Sequence, residues 1–251
     1  MQVLRQPVAD VPPATSDRRT ILEEVAVVLA LSLLASAASA ILSLFEAPIA
    51  GTTVAAANQS PLFARQVLGF VFGLAPVFLV LHLVRRAGET PAVIGMAWDR
   101  PRSDLARGLL LAGVVGVAGI GIYLGAVALG VNRFVVPAPP PGHWWTYPAV
   151  AMHALEAGLV EEVIVLGYLI TRLQQAGASA GGAVAASAVL RGSYHLYQGF
   201  GGFVGTAAMG LLFGWLFVRT RRTWPFVIAH VALDVGAAVG WLLFRERLPG
   251  F

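Results

Sequence analysis

Residues 153–172 read HALEAGLVEEVIVLGYLITR, a stretch apolar enough to cross a membrane that nevertheless contains Glu156, Glu161 and Glu162. A carboxylate deep in a bilayer costs several kcal/mol, so such residues are rare in spans and usually pair with other groups or line a wet cavity. The stretch therefore predicts a membrane-spanning helix that carries a functional site.

Two apolar segments further along the chain supply partners for these glutamates. LRGSYHLYQG contains Arg191 and His195, and IAHVALD contains His230 and Asp234. Each pair has i,i+4 spacing and so shares one face of its helix. We expect the three segments to meet inside one helix bundle.

Adjacent residues on a helix point about 100° apart, so Glu161 and Glu162 cannot face the same way. We expect one of them to face a reacting centre and the other to face a neighbouring helix.

Composition sets the class of protein. Of the 251 residues, 57% are hydrophobic and only 12% are charged, against roughly 25% charged residues in a soluble domain. The chain contains no cysteine, which excludes disulfides, thiolate chemistry and cysteine-ligated metals. The net charge of +4 comes from arginines in the loops, so nucleic acid is not an expected partner.

The apolar segments predict an all-α, polytopic bundle of about seven transmembrane helices, with the active site among the last four. A span needs about 20 residues, and spans are expected near residues 22–45, 62–84, 105–131, 148–173, 178–197, 203–219 and 225–244. PAVIGMAW, residues 91–98, predicts a short interfacial helix.

The predicted organisation has four parts. Residues 1–19 form a disordered cytoplasmic tail, residues 20–147 the N-terminal transmembrane helices, residues 148–244 the catalytic helix core, and residues 245–251 a short tail.

Arginine supplies every basic residue, and the arginines cluster at alternate ends of the predicted spans. Because positive loops stay in the cytoplasm, we expect a multi-pass protein of a cell membrane with its N-terminus in the cytoplasm. The expected setting is the cytoplasmic membrane of a bacterium, with membrane lipids as partners.

The side chains themselves suggest hydrolysis. A buried glutamate can take a proton from water and return it to a leaving amine. His195 and His230 could join Glu161 in holding zinc, since two histidines, a glutamate and water form a catalytic zinc site. Alternatively, the histidines act without metal by stabilising an oxyanion, with Asp234 orienting His230. Both alternatives stay open at this stage.

Other candidates rank lower. His153 lies one turn from Glu156 and could pair with it without a catalytic role. A single histidine in a span often only bridges helices, so the combination on three successive spans carries the prediction rather than any one member.

The three motifs EEVIVLGYL, LRGSYHLYQG and IAHVALD resemble those of the CPBP or Abi family of intramembrane proteases, which includes the type II CAAX prenyl proteases. The resemblance covers about residues 154–239 and implies an endopeptidase that acts on a membrane-associated protein or peptide. It also implies that Glu161 activates water, that Glu162 is the second glutamate, and that His195, His230 and Asp234 complete the site. A metal-bound and a metal-free glutamate mechanism both fit this resemblance.

Two positions depart from the family pattern EExxxR and FxxxH. Leu166 stands where the arginine is expected, and Arg191 stands where the phenylalanine is expected. Our hypothesis is a relocation, in which Arg191 reaches Glu162 from the next helix and keeps the buried charge paired. The rival hypothesis is a catalytically inactive membrane scaffold or a bacteriocin-immunity-type protein, and a transporter is a second rival.

Overall fold

The computed structural model describes residues 8–46 and 49–247 and is built almost entirely from α-helices, which confirms the predicted fold class. The helices of these residues are α1 (Arg18–Ala30), α2 (Leu34–Glu46), α3 (Phe63–Gly73), α4 (Ala75–Arg86), α5 (Pro101–Ala128), α6 (Thr146–Val160), α7 (Leu169–Gln175), α8 (Ala180–Tyr194), α9 (Phe200–Thr220) and α10 (Trp224–Phe244).

Shorter elements connect these helices. A π-helical segment, Glu161–Tyr168, joins α6 to α7, and 3₁₀ turns cover Pro91–Ile94, Leu196–Gln198 and Arg245–Arg247. The segment predicted as an interfacial helix thus forms one 3₁₀ turn. Strands β1 (Thr53–Ala55) and β2 (Phe134–Val136) pair in parallel, with Thr53 opposite Phe134.

The predicted number of seven spans is not confirmed. Each predicted segment is helical, but among the described residues only four helical stretches are long and apolar enough to cross a membrane, or five if the bent pair α1–α2 is one span. Helix α8 has 15 residues, about 22 Å at 1.5 Å per residue, which is shorter than the roughly 30 Å hydrocarbon core. The acidic segment is divided by its π-helical part into pieces of 15, 8 and 7 residues.

The predicted tail is described only from residue 8 onward, so residues 1–7 lie outside the described part, as do residues 248–251 of the predicted C-terminal tail. Residues 8–17 contain no helix or strand but contact the bundle. The Thr15 hydroxyl donates to the Ala87 carbonyl at 2.7 Å. The Asp17 carboxylate then caps α1 by accepting from the backbone N–H groups of Arg19 and Thr20, as expected of an N-cap.

The bundle has two different ends. The end that we call the arginine-rich end comprises residues 15–19, 85–107, 172–178 and 219–224. Polar contacts link its elements: Arg172 NH1 lies 2.7 Å from Glu89 Oε2, and Arg222 Nε donates to Asp104 Oδ1 at 2.7 Å.

The opposite end, which we call the loop end, comprises residues 49–65, 129–146, 195–200 and 244–247. The parallel pair β1–β2 lies here. Arg133 connects the turn after α8 to α2, because its guanidinium donates to the carbonyls of Tyr197 at 2.6 Å and Ser43 at 2.9 Å.

The core has two main clusters of buried apolar side chains, one among α1, α2, α4 and the π-helical segment, and one where α7 and α8 pack against α9 and the start of α10. Helix α8 lies directly against α9. Gly210 allows this contact, because a Cβ at this position would lie 3.0 Å from Ala188 Cα and 3.3 Å from Arg191 Cδ. On α5, by contrast, large apolar side chains such as Leu110, Val117 and Ile120 are exposed, as expected of a surface that contacts lipid tails.

Candidate active site

The two adjacent glutamates open the π-helical segment, Glu161–Tyr168. Short π-helical segments often occur at functional sites, because the wider turn changes where side chains point. As predicted, the two carboxylates lie in different surroundings. The Glu162 side chain is fully buried, whereas Glu161 keeps 13% of its side-chain surface exposed.

Glu162 lies at the centre of a buried polar network. Its Oε1 accepts from Arg191 NH2 at 2.8 Å and lies 2.7 Å from His230 Nδ1. The Arg191 side chain, 1% exposed, comes from α8, and His230 comes from α10. A single carboxylate oxygen thus connects three helical elements.

Glu161 is held by α8. The Tyr194 hydroxyl donates to Glu161 Oε2 at 2.7 Å, and Arg191 NH1 lies 3.9 Å from the same oxygen. Arg191 therefore lies between the two glutamates, hydrogen-bonded to Glu162 and in electrostatic range of Glu161.

His195 is the C-cap residue of α8 and directly follows its last helical residue, Tyr194. Its Nδ1 lies 2.9 Å from the backbone carbonyl of Arg191. A carbonyl can only accept, so Nδ1 carries the proton of this bond, and Nε2 is the ring nitrogen left for other contacts.

His230 has a carboxylate near each ring nitrogen. Nδ1 faces Glu162 at 2.7 Å, and Nε2 lies 3.5 Å from Asp234 Oδ2 on the next turn of α10. Asp234 is 43% exposed, whereas His230 is 8% exposed. Glu162 therefore makes the shorter contact and mainly orients the ring. The more exposed Asp234 lies on the side of the ring that is nearer to solvent.

A cavity of about 490 Å³ adjoins these groups. Four of the five predicted catalytic residues line it, and they come from three separate parts of the chain: Glu161, His195, His230 and Asp234. Glu162 and Arg191 do not line it and lie behind it as buried support.

The N-terminal half of the chain also builds this cavity, which the motifs did not predict. Residues at the break between α1 and α2, including Ser32 and Ser36, line it, as do Phe72 and Gly73 at the α3–α4 junction. These residues lack a recognisable motif, so only the packing of the helices identifies them.

The sequence motifs did not predict that Tyr194 belongs to the site, and the sequence analysis gave His153 no catalytic role. Tyr194 stands directly before His195, but no spacing rule connects it with Glu161. His153 lines the cavity, where its Nε2 lies 2.6 Å from Gln66 Oε1 and its Nδ1 lies 3.9 Å from Glu156 Oε2. This polar group is separate from the contacts of Glu162.

This geometry also bears on the alternative in which Glu161, His195 and His230 hold a zinc ion. Among the described residues, no group of three or more histidine, aspartate or glutamate side chains is arranged to hold a metal ion. Glu161, His195 and His230 share the cavity, where His230 Nδ1 is hydrogen-bonded to Glu162 at 2.7 Å and its Nε2 has only a longer contact to Asp234, at 3.5 Å. In the described residues these three side chains therefore do not form a ready-made zinc site.

Leu166 occupies an apolar environment. It is 1% exposed and belongs to a buried cluster with Phe213 and Phe226. The Arg191 guanidinium carbon lies 5.9 Å from the centre of the Phe213 ring. Leu166 and the aromatic ring nearest to Arg191 therefore belong to the same buried cluster.

Comparison with known proteins agrees with the motifs. Residues 143–236 match the family model described as Type II CAAX prenyl endopeptidase Rce1-like. This match confirms the predicted resemblance and, at the family level, supports a membrane endopeptidase. Neither the curated proteins nor the solved structures gave a match.

Proposed function

We propose that this multi-pass membrane protein is an intramembrane endopeptidase that hydrolyses a peptide bond of a membrane-associated protein or peptide. The match of residues 143–236 supports the reaction class. The observation that carries the proposal is that Glu161, His195, His230 and Asp234 line one cavity.

Glu161 is the group that activates water. Its carboxylate takes a proton from a water molecule, and the water oxygen attacks the peptide carbonyl carbon. The C–N bond of the resulting tetrahedral intermediate then breaks, and the proton passes from Glu161 to the leaving amine. The products are a new carboxyl end and a new amino end. Tyr194 keeps the Glu161 carboxylate in position by its hydrogen bond at 2.7 Å.

His195 and His230 are assigned to the developing oxyanion in their doubly protonated form, because Nδ1 of each ring already donates to a protein oxygen and only a proton on Nε2 can be donated to the oxyanion. Hydrogen-bond donors fixed at the place where negative charge forms are an effective source of catalysis. The Arg191 carbonyl fixes the His195 ring, and Glu162 fixes the His230 ring. Glu162 and Arg191 thus support the site without contacting the reacting atoms.

This mechanism needs no metal. Among the described residues, Glu161, His195 and His230 are not arranged as the three ligands of a zinc ion. The proposed reaction runs without a metal, so activity should survive treatment of purified protein with a strong chelator.

The proposal is tested by comparing wild type with Glu161→Gln in native membranes. The N-terminal peptides of the membrane proteins are mapped in both. New ends that appear with wild type and disappear with Glu161→Gln would establish proteolysis and identify the substrate. Glu23→Gln is the matched control, because Glu23 begins the other EE pair of the chain and is exposed at the start of α1.

The alternative function is a catalytically silent scaffold or immunity-type protein, which the leucine at position 166 favours. Identical peptide maps for wild type and Glu161→Gln, with both proteins folded and equally abundant, would support this alternative.

A further inference from the structure

The cavity extends from the middle of the bundle to the loop end. Ala56, Ala57 and Pro137, all from connections at that end, line it, together with Gln198 from the turn after α8. Its lining residues on α6 run from Val150 to Val160, and α6 begins at the loop end.

The other half of the bundle is closed beneath the site. Apolar side chains there are at most 8% exposed and form one cluster, which we call the apolar plug: Val80, Leu83, Val84, Ile94, Ile164 and Tyr168. None of these residues lines the cavity.

Polar contacts seal the arginine-rich end behind the plug. The Thr223 hydroxyl donates to the Ile94 carbonyl at 2.6 Å, and the Thr223 N–H donates to the Gly95 carbonyl at 2.8 Å. Arg172 and Glu89 form a buried ion pair beside them. In the described part of the chain, no residue of this end lines the cavity.

The arginines orient the two ends. The arginine-rich end holds Arg18, Arg19, Arg85, Arg86, Arg100, Arg102, Arg107, Arg172, Arg219, Arg221 and Arg222, and the loop end holds Arg65, Arg133, Arg245 and Arg247. Arginine-rich loops near span ends stay in the cytoplasm. This rule assigns the closed end to the cytoplasm and the open end to the other side of the membrane.

We infer that the substrate reaches Glu161 from the extracytoplasmic side, as an outer-leaflet or extracytoplasmic segment of a membrane protein or peptide. This inference rests on the proposed function. A prenyl-modified C-terminus on the cytoplasmic face would meet the closed, arginine-rich end instead. The proposed side of access therefore selects extracytoplasmic segments, rather than cytoplasmic C-termini, as the substrate class.

Single cysteines test the side of access directly, because the chain contains no cysteine of its own. Ala57→Cys marks the cavity at the loop end, Ser36→Cys marks its interior, and Thr90→Cys marks an exposed position at the arginine-rich end. Intact cells that express each variant are treated with a membrane-impermeant maleimide, before and after permeabilisation.

We expect Ala57→Cys and Ser36→Cys to react in intact cells, and Thr90→Cys to react only after permeabilisation. Reaction of Thr90→Cys in intact cells, or of Ser36→Cys only after permeabilisation, would overturn the inference. Ala157→Cys, which also lines the cavity, replaces Ser36→Cys if that variant does not accumulate.

The peptide map separates this inference from the proposed function. Ends that depend on Glu161 but lie in cytoplasmic segments would overturn the side of access and leave proteolysis established. Maleimide labelling as expected, with no ends that depend on Glu161, would support the open cavity and count against proteolysis.

Discussion

At the scale of single residues, the buried charge of Glu162 determines how the site is held together. An unpaired carboxylate at this depth would be costly, and breaking a buried ion pair typically costs about 3–5 kcal/mol. Arg191 supplies the partner at 2.8 Å from the neighbouring helix, while Leu166 fills apolar space beside Phe213. The contact between Arg191 and Glu162 is therefore the one that the relocation hypothesis predicts.

Exchange of the two departing residues tests the relocation. Arg191→Phe alone should lower the free energy of unfolding by about 3 kcal/mol, because Glu162 loses its cation. Adding Leu166→Arg recreates the family pattern and should recover part of that loss and part of the proteolytic activity. Thermal unfolding and terminus mapping of the single and double variants measure both effects. A folded double variant without any gain over Arg191→Phe would contradict a simple exchange.

Tyr194 gives a second prediction at this scale. Tyr194→Phe removes the donor to Glu161 and should slow cleavage about tenfold, since a hydrogen bond to a charged group contributes about 1.5–3 kcal/mol. The rate of cleavage at saturating substrate should fall, and the unfolding temperature should fall as well because a hydrogen bond to a charged group is lost; the rate is therefore compared at a temperature where both proteins are folded. Tyr147→Phe, at an exposed position on α6, is the control and should keep the wild-type rate.

At the scale of elements, the π-helical segment is the feature that presents the glutamates. It lies between α6 and α7 and is buried along nearly its whole length. A neighbouring helix supports its backbone, because the Ser187 hydroxyl of α8 donates to the Val165 carbonyl at 2.7 Å. The segment is thus stabilised by tertiary contacts rather than by a local sequence preference.

Ser187→Ala should therefore destabilise the protein by about 1–3 kcal/mol, because a buried polar contact to the segment is lost. Ser193→Ala is the matched control, since the Ser193 hydroxyl bonds only within its own helix, to the Val189 carbonyl. Unfolding temperatures of the two variants provide the measurement. Equal destabilisation by both would show that the segment does not depend on Ser187.

At the scale of the whole molecule, the two ends differ in charge and in closure. Arg222 belongs, with its neighbour Arg221, to the cluster of arginines that the sequence predicts to lie in the cytoplasm. In the structure, Arg222 also binds Asp104 through two nitrogens and Asp99 through a third, at 2.6–2.7 Å. It therefore joins the α9–α10 connection to the start of α5.

Arg222→Lys should cost about 2 kcal/mol of unfolding free energy, because a lysine keeps the charge but cannot make the forked contact. Arg86→Lys, at an exposed position at the end of α4, should be nearly neutral. Unfolding of both variants in the same detergent gives the comparison. A similar small effect for both would mean that Arg222 acts only as a topology signal.

The sequence by itself determined the all-α membrane class, because long apolar segments with few charges have no other stable arrangement in lipid. It also determined which residues are candidates for the site, because carboxylates and imidazoles are too costly in a span to occur there without a reason. The spacing of Arg191 and His195, and of His230 and Asp234, placed each pair on one helix face.

Only the tertiary structure decided how those faces meet. The i,i+4 rule holds within one helix, so it could not show that Arg191 and His230 share one oxygen of Glu162 or that Tyr194 holds Glu161. It also could not show that the break between α1 and α2 lines the cavity, because packing between distant segments leaves no local pattern. The number of spans depended on the same contacts, since buried neighbours stabilise the π-helical segment and the short α8 in place of lipid.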